Sequence, residues 1–258
     1  MKNMESKSLY AKPSEQQAKP VQPDDFASKN AFPVVENAHL HDLYAASPAD
    51  AVSTGAFALA LAVEAAAGRP VVWALHEMMA LEAGRPHGPG LHELGLRPND
   101  LLLVRARDIK TLLTVGEDAL RSCAVGAVVL SAWGDSRTLT LTASRRLSMA
   151  ARTGGASMFL VRAGVDPMPS AAETRWSVRA VASTPLEGDA PGHPVFSATL
   201  LRSRGGWGGP RTWIMEWDRE RRSFIAQNAR STPVSGDMVS LAAQRSAGAP
   251  DGGLRRAG

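Results

Sequence analysis

Apolar residues in this chain come in short runs separated by stretches with helical spacing, and past residue 175 the spacing changes. His39–Tyr44 reads as a short strand. Val52–Ala67, alanine-rich and nearly apolar all round, reads as a helix buried on most sides, with Ser47 or Ser53 as its cap and Gly68 as its stop. Val71–Leu75 is a continuous apolar run of buried-strand type. A Gly/Pro-rich loop, Gly84–Gly90, precedes a helical turn around His92-Glu93-Leu94. The alternation then repeats: strand Leu101–Val104, helix Asp108–Arg121 with Leu112, Leu113, Val115 and Leu120 inward, strand Ala127–Leu130, helix Thr138–Arg152, strand Ser157–Val161. This order predicts parallel β-α-β units, with helices covering both faces of a sheet. Arg175–Ala182, Val195–Arg202 and Arg211–Trp217 instead alternate polar and apolar residues between Gly/Pro clusters, which predicts antiparallel strands with one face exposed. The predicted fold class is α/β, a mostly parallel sheet flanked by helices with a C-terminal antiparallel extension.

Composition limits the setting of that fold. The chain has 258 residues, 44% hydrophobic and 21% charged, an ordinary globular balance. Cys123 is the single cysteine, so an intramolecular disulfide and a cysteine-built zinc site are excluded, and a reducing, cytoplasmic setting is expected. No apolar run is read as approaching the roughly 20 residues of a membrane span, and the N-terminus lacks the apolar stretch of a secretory signal. Five of the six lysines lie within residues 1–36, balanced there by five acids, so the net charge of +4 belongs to the arginine-rich body. Such a modest excess permits contact with nucleic acid or an acidic partner without demanding it. Residues 1–36, poor in large apolar groups, are expected to be a disordered leader, residues 37–227 one domain, and residues 228–258, rich in Gly, Ala, Ser and Arg, a flexible tail.

A parallel sheet directs the search for chemistry to the loop after its first strand, where amides and a helix N-terminus cradle phosphate and a lysine reaches the terminal groups. That loop, Ala45–Gly55, has the right place and length but holds no lysine, has Gly55 as its one glycine, and carries Asp50 where phosphate charge would sit. An aspartate to hold magnesium at the end of an apolar strand is also missing: Ala127–Leu130 ends in Ser131, and Asp135 lies four residues beyond. Glu77, just after Val71–Leu75, is the one acid at a plausible catalytic position. No two histidines fall in an H-x-x-x-H pair, and Cys123, between a helix and a strand, is expected to be a packed thiol. Arg202, Arg204, Arg211, Arg219, Arg221 and Arg222 cluster in sequence with Trp207, Trp213 and Trp217, the composition of single-strand-binding surfaces, although Glu216, Asp218 and Glu220 nearly neutralise them.

Several stretches together resemble the ImuA family of damage-inducible mutagenesis proteins, relatives of RecA, in its alphaproteobacterial form. They are Leu40–Tyr44, Ser47–Gly55, Phe57–Ala62, Arg69–Trp73, Pro89–Leu96, Leu101–Asp108, Gly126–Leu130 with Trp133-Gly134-Asp135, Thr142–Leu147, Pro169–Trp176 and Trp217-Asp218-Arg219, over about residues 38–226. The resemblance implies a RecA-like core that need not hydrolyse ATP. It implies partners, an ImuB-like relative of the Y-family polymerases and an error-prone C-family polymerase, in SOS-induced translesion synthesis, with RecA a further candidate. Glu77 falls where RecA-type proteins keep a catalytic glutamate, and Gly164–Thr174 resembles a shortened second DNA-binding loop. The expectation is a non-catalytic adaptor without cofactor, its partner contact on Arg202, Arg204, Arg219, Arg221 and Arg222. The alternatives are a nucleotide-dependent DNA-binding ATPase of the RecA type, and a modulator of RecA filaments.

Overall fold

The computed structural model describes residues 37–205 and 210–226. The leader 1–36, the tail 228–258 and Trp207 lie outside the described residues. Nine strands, β1 (Leu40–Ala45), β2 (Val71–His76), β3 (Leu101–Ala106), β4 (Ala127–Trp133), β5 (Ser157–Ala163), β6 (Thr174–Val181), β7 (Val195–Ser203), β8 (Arg211–Asp218) and β9 (Ser223–Ala226), form one sheet. Their order is β3-β2-β4-β5-β1-β6-β7-β8-β9. The pairs from β3 through β6 are parallel, and those from β6 through β9 antiparallel. The fold is the expected RecA-like α/β arrangement. One strand changes category: β6, expected with the antiparallel set, pairs parallel to β1 on one side and antiparallel to β7 on the other. Its alternating pattern reports a half-covered face, which either direction of pairing can produce.

Helix α1 (Ala51–Ala66) packs on one face of the sheet, and α4 (Ile109–Leu120) and α5 (Leu141–Gly154) on the other. Two cores result. Phe57, Trp73, Val129, Phe159, Trp176 and Phe196 fill the α1 side, while Val72, Leu112, Val128, Leu147 and Leu160 fill the other. Alternate residues of β4 and β5 feed the two cores, which explains why these strands read as unbroken apolar runs. Asp108 and Thr140 cap α4 and α5, accepting from Thr111 N and Ala143 N at 2.7 and 3.1 Å. The cap of α1 is Asp50 rather than either serine; Ser47 instead starts a 3-10 turn, Pro48–Asp50, that leads into the helix.

Two further expectations are corrected. Pro48–Ala66 is, by length and composition, apolar enough to cross a membrane, yet most of α1 is buried in the protein. Its alanines are small enough to let the helix lie close on the sheet, and the moderate hydropathy of alanine conceals the run. Gly84–Gly90, expected to be loop, runs into α3 (Gly88–Glu93), which starts ahead of the helical turn expected around His92-Glu93-Leu94, and a further short helix, α2 (Glu77–Glu82), follows β2 directly. Pro89 sits in the first turn of α3, where its missing N–H breaks no helical hydrogen bond.

Candidate functional site

In an open parallel sheet, ligands collect beyond the carboxyl ends of the strands. The β1–α1 loop reaches that edge, but its polar groups bond to one another and to β6. Ser47 Oγ donates to Asp50 Oδ2 at 2.7 Å, while Asp50 Oδ1 accepts from Ala180 N at 3.0 Å. Thr54 Oγ1, fully buried, donates to the carbonyls of Asp50 and Val178 at 2.8 and 3.3 Å. Ala46 N donates to Val178 O at 2.9 Å. Asp50 is the N-cap residue of α1, but its carboxylate bonds no amide of the helix and is spent on Ser47 and Ala180. The adjoining cavity, about 330 Å3, is lined by Tyr44, Ser47 and Asp166 among others and by no lysine or arginine.

Beside this corner, the segment 164–173 is fastened to the opposite face of the sheet by a buried polar network that the sequence reading missed. Ser170 Oγ donates to Asp42 Oδ2 and accepts from Arg175 Nη2 and Ala172 N at 3.0 and 3.3 Å. Tyr44 Oη accepts from Arg162 Nη1 and Met168 N at 3.0 and 3.2 Å. Burial pushes the Asp42 carboxyl up from its usual range, opposed by the Ser170 hydrogen bond and the Arg175 and Arg162 charges. A lone acid in the apolar string Leu40–Ala45 was the available signal, since a buried charge requires partners. The stretch that resembles a shortened DNA-binding loop is therefore tied down at Met168, Ser170 and Ala171, the last through Ala171 N to Ser144 Oγ at 3.0 Å.

The candidate acids stand apart from each other. Glu77 pairs with Arg105 at 2.8 Å near the outer end of the sheet, both side chains about half exposed. Asp135 is exposed in the loop after β4. Ser131 accepts the indole N–H of Trp73 at 2.9 Å. His76, ending β2, is buried and its pKa lies below the ordinary imidazole value because burial penalises its charged form, against the raising pull of Asp108 and Glu77. Cys123 is exposed rather than packed, because the turn after α4 carries it outward before β4 begins. Among the described residues no group of three or more His, Cys, Asp or Glu could hold a metal ion.

The arginine cluster does not survive folding as one patch. Arg202 pairs in register with Arg175 at the start of β6, and Arg204 follows it. Arg219, Arg221 and Arg222 lie in the β8–β9 turn, beyond the Glu216–Val195 pair that marks the other end of the meander. Reversal of direction between β7 and β8 separates the groups by the length of an eight-residue strand, roughly 27 Å. Three of the five also have local duties. Arg219 pairs with Glu93 at 3.1 Å, Arg221 with Asp218 at 3.7 Å, and Arg222 lies across Gly95. Trp213 and Trp217 are core residues, and Trp217 donates to Glu93 O at 3.1 Å, so neither can stack on bases.

The surface that the sequence reading passed over is the free edge of β3. Leu101–Val104, expected as a strand, forms β3, which has β2 on one side and, among the described residues, no strand on the other, leaving Leu102 and Leu103 59% and 41% exposed. Leu81 and Met78 of α2, which follows β2, are exposed as well. Exposed apolar side chains beside unpaired strand amides are a recognised site of strand pairing and protein contact.

No protein-family model matches the chain. The chain is 34% identical over 178 residues to Protein ImuA of Caulobacter vibrioides, in each of two strains, an alignment that covers 65% of this chain and 67% of the relative.

Proposed function

The chain belongs to the ImuA family of damage-inducible mutagenesis proteins, and from that premise we propose that it is a non-catalytic adaptor of an SOS-induced translesion synthesis complex. In this reading its RecA-like body binds an ImuB-like relative of the Y-family polymerases, in a cytoplasmic assembly that includes an error-prone C-family polymerase. The observation that supports it is the β1–α1 corner, where the Asp50 carboxylate and the neighbouring hydroxyls are spent on internal bonds. A polyphosphate there would meet a carboxylate and no cation, and repulsion of that kind selects against the ligand. For the partner contact the β3 edge is favoured over the arginine meander, because its apolar side chains are already exposed while the arginines are divided between two ends of the sheet.

The test is size-exclusion co-elution of the full chain with an ImuB-like protein at low and high salt. A complex that persists at high salt, and is lost when Leu102 and Leu103 are both changed to Asp, supports contact at the apolar edge. Loss at high salt alone, with sensitivity to Arg202→Glu and Arg204→Glu or to Arg221→Glu and Arg222→Glu, returns the contact to the arginines. Failure to co-elute under any condition removes the adaptor reading. ATP turnover above buffer that Glu77→Gln abolishes would replace it with a nucleotide-dependent enzyme.

A further inference from the structure

On the α1 face, a cavity of about 320 Å3 opens between α1, the ends of β2 and β4, the α2–α3 segment and the tip of the meander. We propose that this cavity binds a small, uncharged ring compound bearing one hydrogen-bond acceptor. Its volume lies at the lower end of the range for small-molecule sites, and its walls are those of such a site. Trp73, Leu75, Phe196 and Trp217 supply apolar and aromatic surface, and Leu59 and Gly55 form the wall contributed by α1. Gly55 is a helical residue facing open space: a Cβ built on it would meet nothing within 4 Å. The helix therefore presents bare backbone surface to the cavity, against which a flat molecule can lie.

The ligand's polarity follows from the groups that line the site. The charged lining residues, Arg85 and Glu93, are exposed, and Glu93 is paired with Arg219. A charged group on the ligand would be desolvated among the tryptophans without a partner, at a cost that excludes it. Ser131 is the one buried polar side chain in the lining. Its oxygen accepts the Trp73 indole N–H at 2.9 Å, which orients the hydroxyl and leaves its single proton available to donate. A carbonyl on the ligand is the natural acceptor. A nucleotide is not, since its several phosphate charges would meet one lysine or arginine in the lining, Arg85, which is exposed at the surface. The inference is independent of the adaptor reading, because the cavity exists whether or not a protein partner binds elsewhere.

Acetophenone and α-methylstyrene form a matched pair of probes, equal in shape and differing by a carbonyl oxygen in place of a methylene. Each is titrated into the full chain while the Met79 and Leu59 methyl signals are followed by NMR. Both are expected to shift these signals saturably. Ser131→Ala is expected to weaken acetophenone about fivefold to tenfold, the effect of one neutral hydrogen bond, and to leave α-methylstyrene within twofold. Gly55→Leu, which places a side chain in the empty space and removes a helix-weakening glycine, is expected to abolish both while keeping or raising Tm; Gly55→Met is a second filler should leucine perturb the fold. Absence of saturable shifts up to probe solubility overturns the proposal, as does binding that survives both fillers. Equal weakening of both probes by Ser131→Ala overturns the acceptor assignment. Loss of ImuB-like partner binding in Gly55→Leu, with neither probe bound by the unsubstituted chain, would give the cavity to a partner's side chain instead.

Discussion

The β1–α1 corner and the β3 edge are both places where a sheet of this kind meets its ligands, and they are finished in opposite ways. At the corner nearly every polar group has an internal partner: Asp50 with Ser47 and Ala180, Thr54 with two carbonyls, and on the other face Asp42 with Ser170. At the edge the strand has no outer partner among the described residues, and Leu102 and Leu103 stand exposed. A protein whose task was phosphate chemistry would need the reverse, a corner with unsatisfied amides and a cation beside a protected edge. Here hydrogen-bonding capacity has been turned inward and apolar surface outward. The contrast fits a scaffold that works by holding another protein.

Changes at the two sites should therefore have unlike consequences. The largest effect is expected from Leu102→Asp with Leu103→Asp, which should weaken ImuB-like partner binding at least a hundredfold, about 2.8 kcal/mol, and leave Tm within a degree or two. Titration calorimetry and a thermal melt separate the two, and a drop in Tm without loss of binding would dissolve the comparison. Ser170→Ala should cost about 2 kcal/mol of unfolding free energy, since it strips a donor from the buried Asp42 carboxyl and an acceptor from Arg175; denaturant titration reads this directly, with partner affinity unchanged. Asp50→Ala should cost about 1 kcal/mol by releasing Ala180 N and Ser47. The same variant sharpens the comparison, because removal of the carboxylate should still confer no ATP binding when no cation takes its place.

The smallest effect is a pH dependence at the edge. His76 has a folded-state pKa below its ordinary value, so the unfolded chain binds the proton more readily. Its contribution to stability is present above the unfolded pKa of about 6.5 and is lost as pH falls through the lower, folded value. Wild-type protein should lose stability between pH 7 and 5 more steeply than His76→Gln, as measured by denaturant midpoints across that range. Parallel slopes would show that His76 is not the group responsible.

Most of the fold was legible because its elements carry strong local periodicity. Strands β1, β2, β4 and β5, helices α1, α4 and α5, and the change of spacing at β6 all follow from which positions are apolar. Strand β9 and helix α2 went unread because four and six residues are too few to display a period. The absence of a lysine from the β1–α1 loop was readable. The loop's positive content, Asp50 reaching Ala180 across 130 residues, was not, because such pairs are set by register between strands distant in sequence. Arg202 and Arg222 looked like neighbours only because sequence distance ignores the reversal of a hairpin. The exposure of Leu102 and Leu103 was not legible because hydropathy cannot tell a central strand from an edge strand.

By itself, then, the sequence determined the α/β class, the order of strands and helices along the chain, and a β1–α1 loop without a phosphate-binding lysine. These are local properties, decided by side-chain period and residue type within a few turns of chain. Only the tertiary structure decided that β3 lies at the outside of the sheet, that the arginines divide between its two ends, that Asp42 and Ser170 meet across 128 residues, and that Gly55 faces a cavity floored by Ser131. Each of these depends on which strands become neighbours, and that choice is made by the burial of the whole chain at once.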